Sequence, residues 1–226
     1  MDKETYLSII AVSLLVPCIL IAIRLLQILP SSHLGKTSSK IIVNDNIKGK
    51  HIMILLGSGG HTGEMMNILS NIDLKNFNRI WVASSGDSTS LQKAQTYEEK
   101  LEKTKYSTSF MTLYRARKVG ESIPSSIIST IKSLISTFTS LLTLPHIPSI
   151  VLLNGPGTCV PLAYSLFVLK FFGLAHTKII YIESLARVNN LSLSGKLLLP
   201  ISDRFIVQWE KLSLKYQRAE YYGILV

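Results

Sequence analysis

Cysteine is nearly missing from this 226-residue chain, which has only Cys18 and Cys159, and Cys18 lies inside a long apolar run. A disulfide framework is excluded, so the fold must be held by an apolar core. Histidine is sparse too. The five are scattered, and His61 with Glu64 lacks the second histidine of a zincin helix, so the sequence spells out no metal constellation. Carboxylates are few, 14 against 24 Lys and Arg, which leaves a net charge of +10. That balance suits an anionic membrane surface or an acidic substrate. Nucleic acid would call for a basic-aromatic cluster or a Cys/His finger spacing, and neither is present. No Ser-His-Asp order can be placed either.

Apolar residues are abundant, at 47% of the chain with a positive mean hydropathy. Residues 6–29 are nearly all Leu, Ile, Val and Ala, broken by Pro17 and Arg24. About 20 apolar residues span a bilayer, and this run suffices if Arg24 snorkels to the interface. Met1-Asp2-Lys3-Glu4 has no net positive charge and no small-residue cleavage site follows the run, which favours an uncleaved anchor over a signal peptide. The expected organisation is a short lumenal terminus at 1–5, an anchor at 6–29, a polar linker at 30–50 and one domain at 51–226. Arg24, Lys36, Lys40, Lys48 and Lys50 follow the anchor, whereas Lys3 alone precedes it, beside Asp2 and Glu4. The long carboxyl-terminal part should therefore face the cytosol, leaving the sequon Asn190-Leu191-Ser192 unmodified.

The domain is organised around its first stretch, His51 to Met66. His51 to Leu56 is an apolar run ending at glycine, as expected of a strand buried on both faces. Gly57-Ser58-Gly59-Gly60 lets the chain turn sharply and present bare N–H groups. A helix is expected from about Thr62 as its cap, with Glu64 in the first turn. Such a turn is a seat for a phosphate or diphosphate. A dinucleotide fingerprint would place glycine at Thr62, and no Walker ending follows; Gly35-Lys36-Thr37 has that ending without its strand.

Further strands are predicted at 79–83, 106–113, 149–153, 178–182 and 204–208. Between them, helices are predicted at 90–103, 123–144 and 159–174, with a short amphipathic helix after Glu210. Alternating buried strands and helices define an α/β fold with a Rossmann-like, doubly wound parallel sheet, whose ligands bind beyond the carboxyl ends of the strands. Five features fall at such ends: the first turn, Asp87, the basic loop of Arg115, Arg117 and Lys118, the second turn Asn154-Gly155-Pro156-Gly157-Thr158, and Glu183. The spacing of Tyr114 and Lys118 mimics a short-chain dehydrogenase pair, but it precedes a helix instead of lying within one. In helix 123–144, Ile127, Ile128, Ile131, Leu134, Ile135, Phe138, Leu141 and Leu142 are expected to pack on the sheet, with membrane contact as the alternative. Helix 159–174 is apolar nearly all round and is expected to dip into the membrane interface. The apolar end Tyr221 to Val226 would prefer a partner to water. The residues alone thus describe a membrane-anchored α/β domain that binds a diphosphate-bearing ligand.

Five stretches carry a family resemblance: Gly57-Ser-Gly-Gly-His-Thr-Gly-Glu-Met65, Leu153-Asn-Gly-Pro-Gly-Thr-Cys159, Tyr181-Ile-Glu-Ser-Leu-Ala-Arg-Val188, Phe205-Ile-Val-Gln-Trp209 and Gly223-Ile-Leu-Val226. In this order, behind one amino-terminal span, the chain resembles the membrane-anchoring subunit of the endoplasmic reticulum UDP-N-acetylglucosamine transferase. The resemblance implies transfer of GlcNAc from UDP-GlcNAc to dolichyl-diphosphate-GlcNAc on the cytosolic face of the endoplasmic reticulum and contiguous nuclear envelope. It implies the acceptor half of a glycosyltransferase-B fold, completed by a soluble catalytic subunit that binds UDP-GlcNAc and docks on Gly223, Ile224, Leu225 and Val226.

The acceptor diphosphate would meet Gly57, Ser58, Gly59, Gly60, Thr62, Gly63, Glu64, Arg115, Arg117, Asn154, Gly155, Gly157 and Thr158. His61 or Glu183 would be the base, and no metal or cofactor is required of this chain. Two other classes remain open: a membrane-tethered Rossmann oxidoreductase, which would bind nicotinamide cofactor alone, and an adaptor with a dead nucleotide site.

Overall fold

A computed structural model describes residues 2–30, 48–101, 105–116 and 123–226. Most of the polar linker and Arg117 lie outside the described residues. The chain runs α1 (Lys3–Ile28), β1 (His51–Leu56), α2 (Gly60–Ser70), β2 (Asn78–Ser84), α3 (Ser88–Lys100) and β3 (Thr108–Leu113). It continues α4 (Ile123–Leu142), β4 (Ile150–Asn154), α5 (Cys159–Phe171), β5 (Lys178–Ile182), α6 (Leu193–Leu198), β6 (Arg204–Val207), α7 (Glu210–Lys215) and β7 (Ala219–Tyr221). Among the described residues, Thr5–Ile28 is the helix long and apolar enough to cross a membrane. Its 24 residues rise roughly 36 Å, against a hydrocarbon core of about 30 Å. Arg24 of this helix meets the domain. Its Nε donates to the Phe171 carbonyl at 2.8 Å and its Nη2 to that of Lys170 at 2.9 Å, so the guanidinium caps α5.

The seven strands form one sheet in the order β3-β2-β1-β4-β5-β6-β7, all parallel. The chain leaves β1 towards β2 and β3, then crosses back to lay β4 on the other side of β1. This reversal opens a crevice at the carboxyl ends of β1 and β4, where both glycine turns begin. The central strands are buried on both faces, which is why they read as continuous apolar runs. Met53, Leu55, Val82, Val151 and Leu153 pack one face against α5, while Ile54, Leu56 and Trp81 pack the other against Met65 and Leu69 of α2.

The two apolar helices exchange their expected places. In α5, Cys159, Leu162, Ala163, Leu166 and Leu169 are fully buried, so it is a core helix, with Val168 and the following Phe172 exposed. In α4, Ile127, Ile128, Ile131, Leu134, Ile135 and Leu142 are exposed, while Ser133, Thr137 and Leu141 are buried. Two α4 hydroxyls face inward: Ser133 Oγ donates to Tyr114 O at 2.7 Å, whereas Thr137 Oγ1 is buried without a partner. Small residues on this face let α4 approach α5 closely, and Ser165 Oγ of α5 reaches Leu134 O at 3.5 Å. With α5 already covering the sheet, the α4 stripe has no core left to enter.

Candidate functional site

The first turn is shaped by what it cannot hold. A Cβ on Gly57 would stand 2.7 Å from His61 Cβ and 2.8 Å from Pro156 Cγ, so only glycine lets the two turns meet. Gly59 has φ +64, which reverses the chain early, so α2 starts at Gly60 and not at Thr62. Thr62 is therefore not the cap. It is buried, its Oγ1 donating to Gly57 O and pairing with Ser90 Oγ at 2.6 Å. Ser58, Gly59 and Gly60 are exposed, and no atom lies within 4 Å of a Cβ built at Gly59, Gly60 or Gly63. The first N–H groups of α2 thus open onto free space at the strand ends.

Glu64 lies beyond the first turn and faces inward, contrary to its expected role as an anion ligand. Its Oε1 accepts from Ser184 Oγ at 2.8 Å and its Oε2 from Asn154 Nδ2 at 3.1 Å. A carboxylate so placed repels a diphosphate. Asn154 is also no ligand: it is fully buried, and Nδ2 donates a second bond to Ile182 O at 3.2 Å. Thr158 is buried as well, paired with Ser84 Oγ at 2.8 Å. Gly155, at φ +73, lies under the His61 imidazole, where a Cβ would come within 2.2 Å of Cε1. His61 is 35% exposed, and its Nδ1 is 3.8 Å from Glu64 Oε2.

Glu183, the second candidate base, is fully buried. Its Oε2 accepts from Ser192 N at 2.9 Å and Ser192 Oγ at 3.1 Å, and its Oε1 from Ser184 N at 3.1 Å and Tyr181 Oη at 3.4 Å. It ties the 183–195 loop to the sheet and faces no solvent a substrate could occupy. Arg187, four residues on, is exposed and makes none of these bonds. Burial, and next the Glu183 charge, pushes the Tyr181 hydroxyl far above its ordinary value.

Arg115 stands apart from the turns, beside a shallow cavity of about 240 Å³ lined by Ser85, Tyr114, Arg115 and Ser129. Its backbone N–H donates to Ser85 Oγ at 3.1 Å. At the other flank, Gln208 joins the site to the chain end, its Nε2 donating to Glu183 O at 3.1 Å and its Oε1 accepting from Leu225 N at 3.1 Å. Ile224 and Val226 remain exposed. The short β7 and α6 were not predicted: three residues are too few for a period, although the Ser192 cap on Gly195 N was readable.

A parallel sheet whose glycine turns open at its switch point defines a Rossmann-type domain. In keeping with this, a solved Arabidopsis thaliana UGT89C1 complexed with UDP matches 79% of this chain and 50% of its own, with TM-score 0.50 and 12% identity. The sequence is more specific. Residues 52–225 match the family described as oligosaccharide biosynthesis protein Alg14 like. Relatives named UDP-N-acetylglucosamine transferase subunit ALG14 are 59% identical in Debaryomyces hansenii and 53% identical in Candida albicans, each match covering 100% of both chains. The chain belongs to the Alg14 family.

Proposed function

We propose that this chain is the membrane-anchoring, non-donor-binding subunit of the UDP-GlcNAc transferase that adds the second GlcNAc to dolichyl-diphosphate-GlcNAc in protein N-glycosylation. One observation carries the reading: the chain matches its transferase-subunit relatives end to end, yet spans half of the solved glycosyltransferase chain. A second, soluble subunit supplies the UDP-GlcNAc half and completes the crevice from the side that β1 and β4 face. The tail at Gly223 to Val226 is its dock, held beside the crevice by Gln208. The span anchors the pair on the cytosolic face of the endoplasmic reticulum.

In this reading the acceptor diphosphate lies on Ser58 to Gly60 and the start of α2, with Arg115 as a flanking cation. The acceptor sugar hydroxyl attacks the anomeric carbon of the donor sugar, the bond to UDP breaks, and the hydroxyl proton passes to His61. His61 is the base because its ring reaches the crevice, whereas Glu183 does not. The test is transfer from UDP-GlcNAc to a dolichyl-diphosphate-GlcNAc analogue in membranes containing this chain, with and without the soluble partner and with residues 223–226 removed. Activity should need both chains and fall with the tail. Activity of the partner alone in solution would reduce this chain to a tether.

A further inference from the structure

His61 and Glu64 are three residues apart on α2 and so lie on one face of it. The Glu64 carboxylate is immobilised from two distant strand ends, by Ser184 after β5 and Asn154 at the end of β4. What remains open on Oε2 points towards His61 Nδ1, 3.8 Å away. That nitrogen is buried and has no hydrogen-bond partner. Gly155 seats the ring, since a Cβ there would come within 2.2 Å of Cε1 and 2.3 Å of Nδ1, and Gly57 makes room for the His61 Cβ. The imidazole is 35% exposed, and Nδ1 belongs to its buried part.

We propose, on the reading of His61 as the base, that Glu64 is its positioning residue. The carboxylate holds a proton on Nδ1, which leaves the Nε2 lone pair facing the acceptor hydroxyl, and it balances the imidazolium formed when that proton arrives. Separations slightly beyond hydrogen-bond length in a substrate-free site tighten when the reacting complex forms. A carboxylate beside the diphosphate seat costs acceptor affinity, so its place there is explained by what it does for His61. Asn154 and Ser184 act one step further out, by aiming Glu64.

The experiment uses the full chain with its soluble partner in membranes, and measures kcat and acceptor KM separately. His61→Ala should lower kcat by about 10²–10⁴-fold, the worth of a general base. Glu64→Gln should lower kcat by about tenfold or more with acceptor KM nearly unchanged, Glu64→Asp should recover part of it, and Glu64→Gln should cost nothing further in the His61→Ala background. Full kcat in Glu64→Gln, a change confined to KM, or losses that add with His61→Ala would overturn the positioning role while leaving His61 as base. Full activity of His61→Ala would overturn both. Should Glu64→Gln fail to assemble with the partner, Ser184→Ala frees the carboxylate without removing it. It should lower kcat several-fold in an intact heteromer, and unchanged kcat there would sink the proposal.

Discussion

The turns at 57–63 and 154–158 begin alike, each after a buried parallel strand, each with a left-handed glycine, each opening a helix. They end as opposites. Ser58, Gly59 and Gly60 stand exposed, whereas Asn154 and Thr158 are buried and Gly155 lies beneath His61. The first turn is an open seat, and the second is its buttress. Glycine in the one leaves its surroundings open, and in the other makes space for a neighbouring side chain.

Breaking the buttress should have the largest effect. Gly155→Ala needs a left-handed alanine, at about 1–2 kcal/mol, and drives a methyl into the His61 ring. Transfer should fall about a hundredfold or more, measured as kcat in the assembled heteromer; near-normal kcat would show that the ring position does not matter. Asn154→Ala comes next. It strips the donors from Glu64 Oε2 and Ile182 O, and buried groups left unsatisfied cost about 1–3 kcal/mol. Thermal unfolding of the heteromer would register that loss.

Alkaline titration should separate the two sides more gently. Burial pushes the Cys159 thiol up at the start of α5, and burial pushes up the Tyr181 hydroxyl beneath the 183–195 loop. Each group stays protonated when folded, at a pH where the unfolded chain releases its proton. Their contribution is therefore complete below the unfolded values, about 8.5 for a thiol and 10 for a phenol, and is lost as pH rises above them. Unfolding monitored from pH 8 to 11 should show falling stability, and Tyr181→Phe should flatten the upper part. The smallest effect belongs to the open turn. A Cβ at Gly63 would meet nothing within 4 Å, so Gly63→Ala should stabilise α2 by about 0.5–1 kcal/mol. A destabilised variant would mean that this surface is filled.

Much of the fold was legible in local pattern. The apolar runs of β1 and β5 bound those strands to the residue, and the span and the glycine turns follow from composition and backbone freedom. Helix α2 started two residues early because Gly59 turned the chain where a capping threonine had been expected. The reversal of α4 and α5 has a different cause. Periodicity reveals an apolar stripe but not its neighbour, and small Ser and Thr side chains can face inward where a hydroxyl such as that of Ser133 finds a carbonyl. The exposed α4 stripe is what the membrane-contact alternative requires.

The candidate site divides the same way. Its place at the strand ends follows from strand order in a parallel sheet, which alternating strands and helices already imply. The roles of its side chains do not. Glu64 bonds Asn154 across 90 residues and Ser184 across 120, and those contacts turn an expected anion ligand into a support for His61. By itself the sequence determined the long apolar amino-terminal helix, the parallel α/β sheet and the two turns, because each depends on neighbours within a few residues. Only the tertiary structure decided which polar groups face the crevice and which hold it together, because a side chain turns towards partners that the fold brings from elsewhere in the chain.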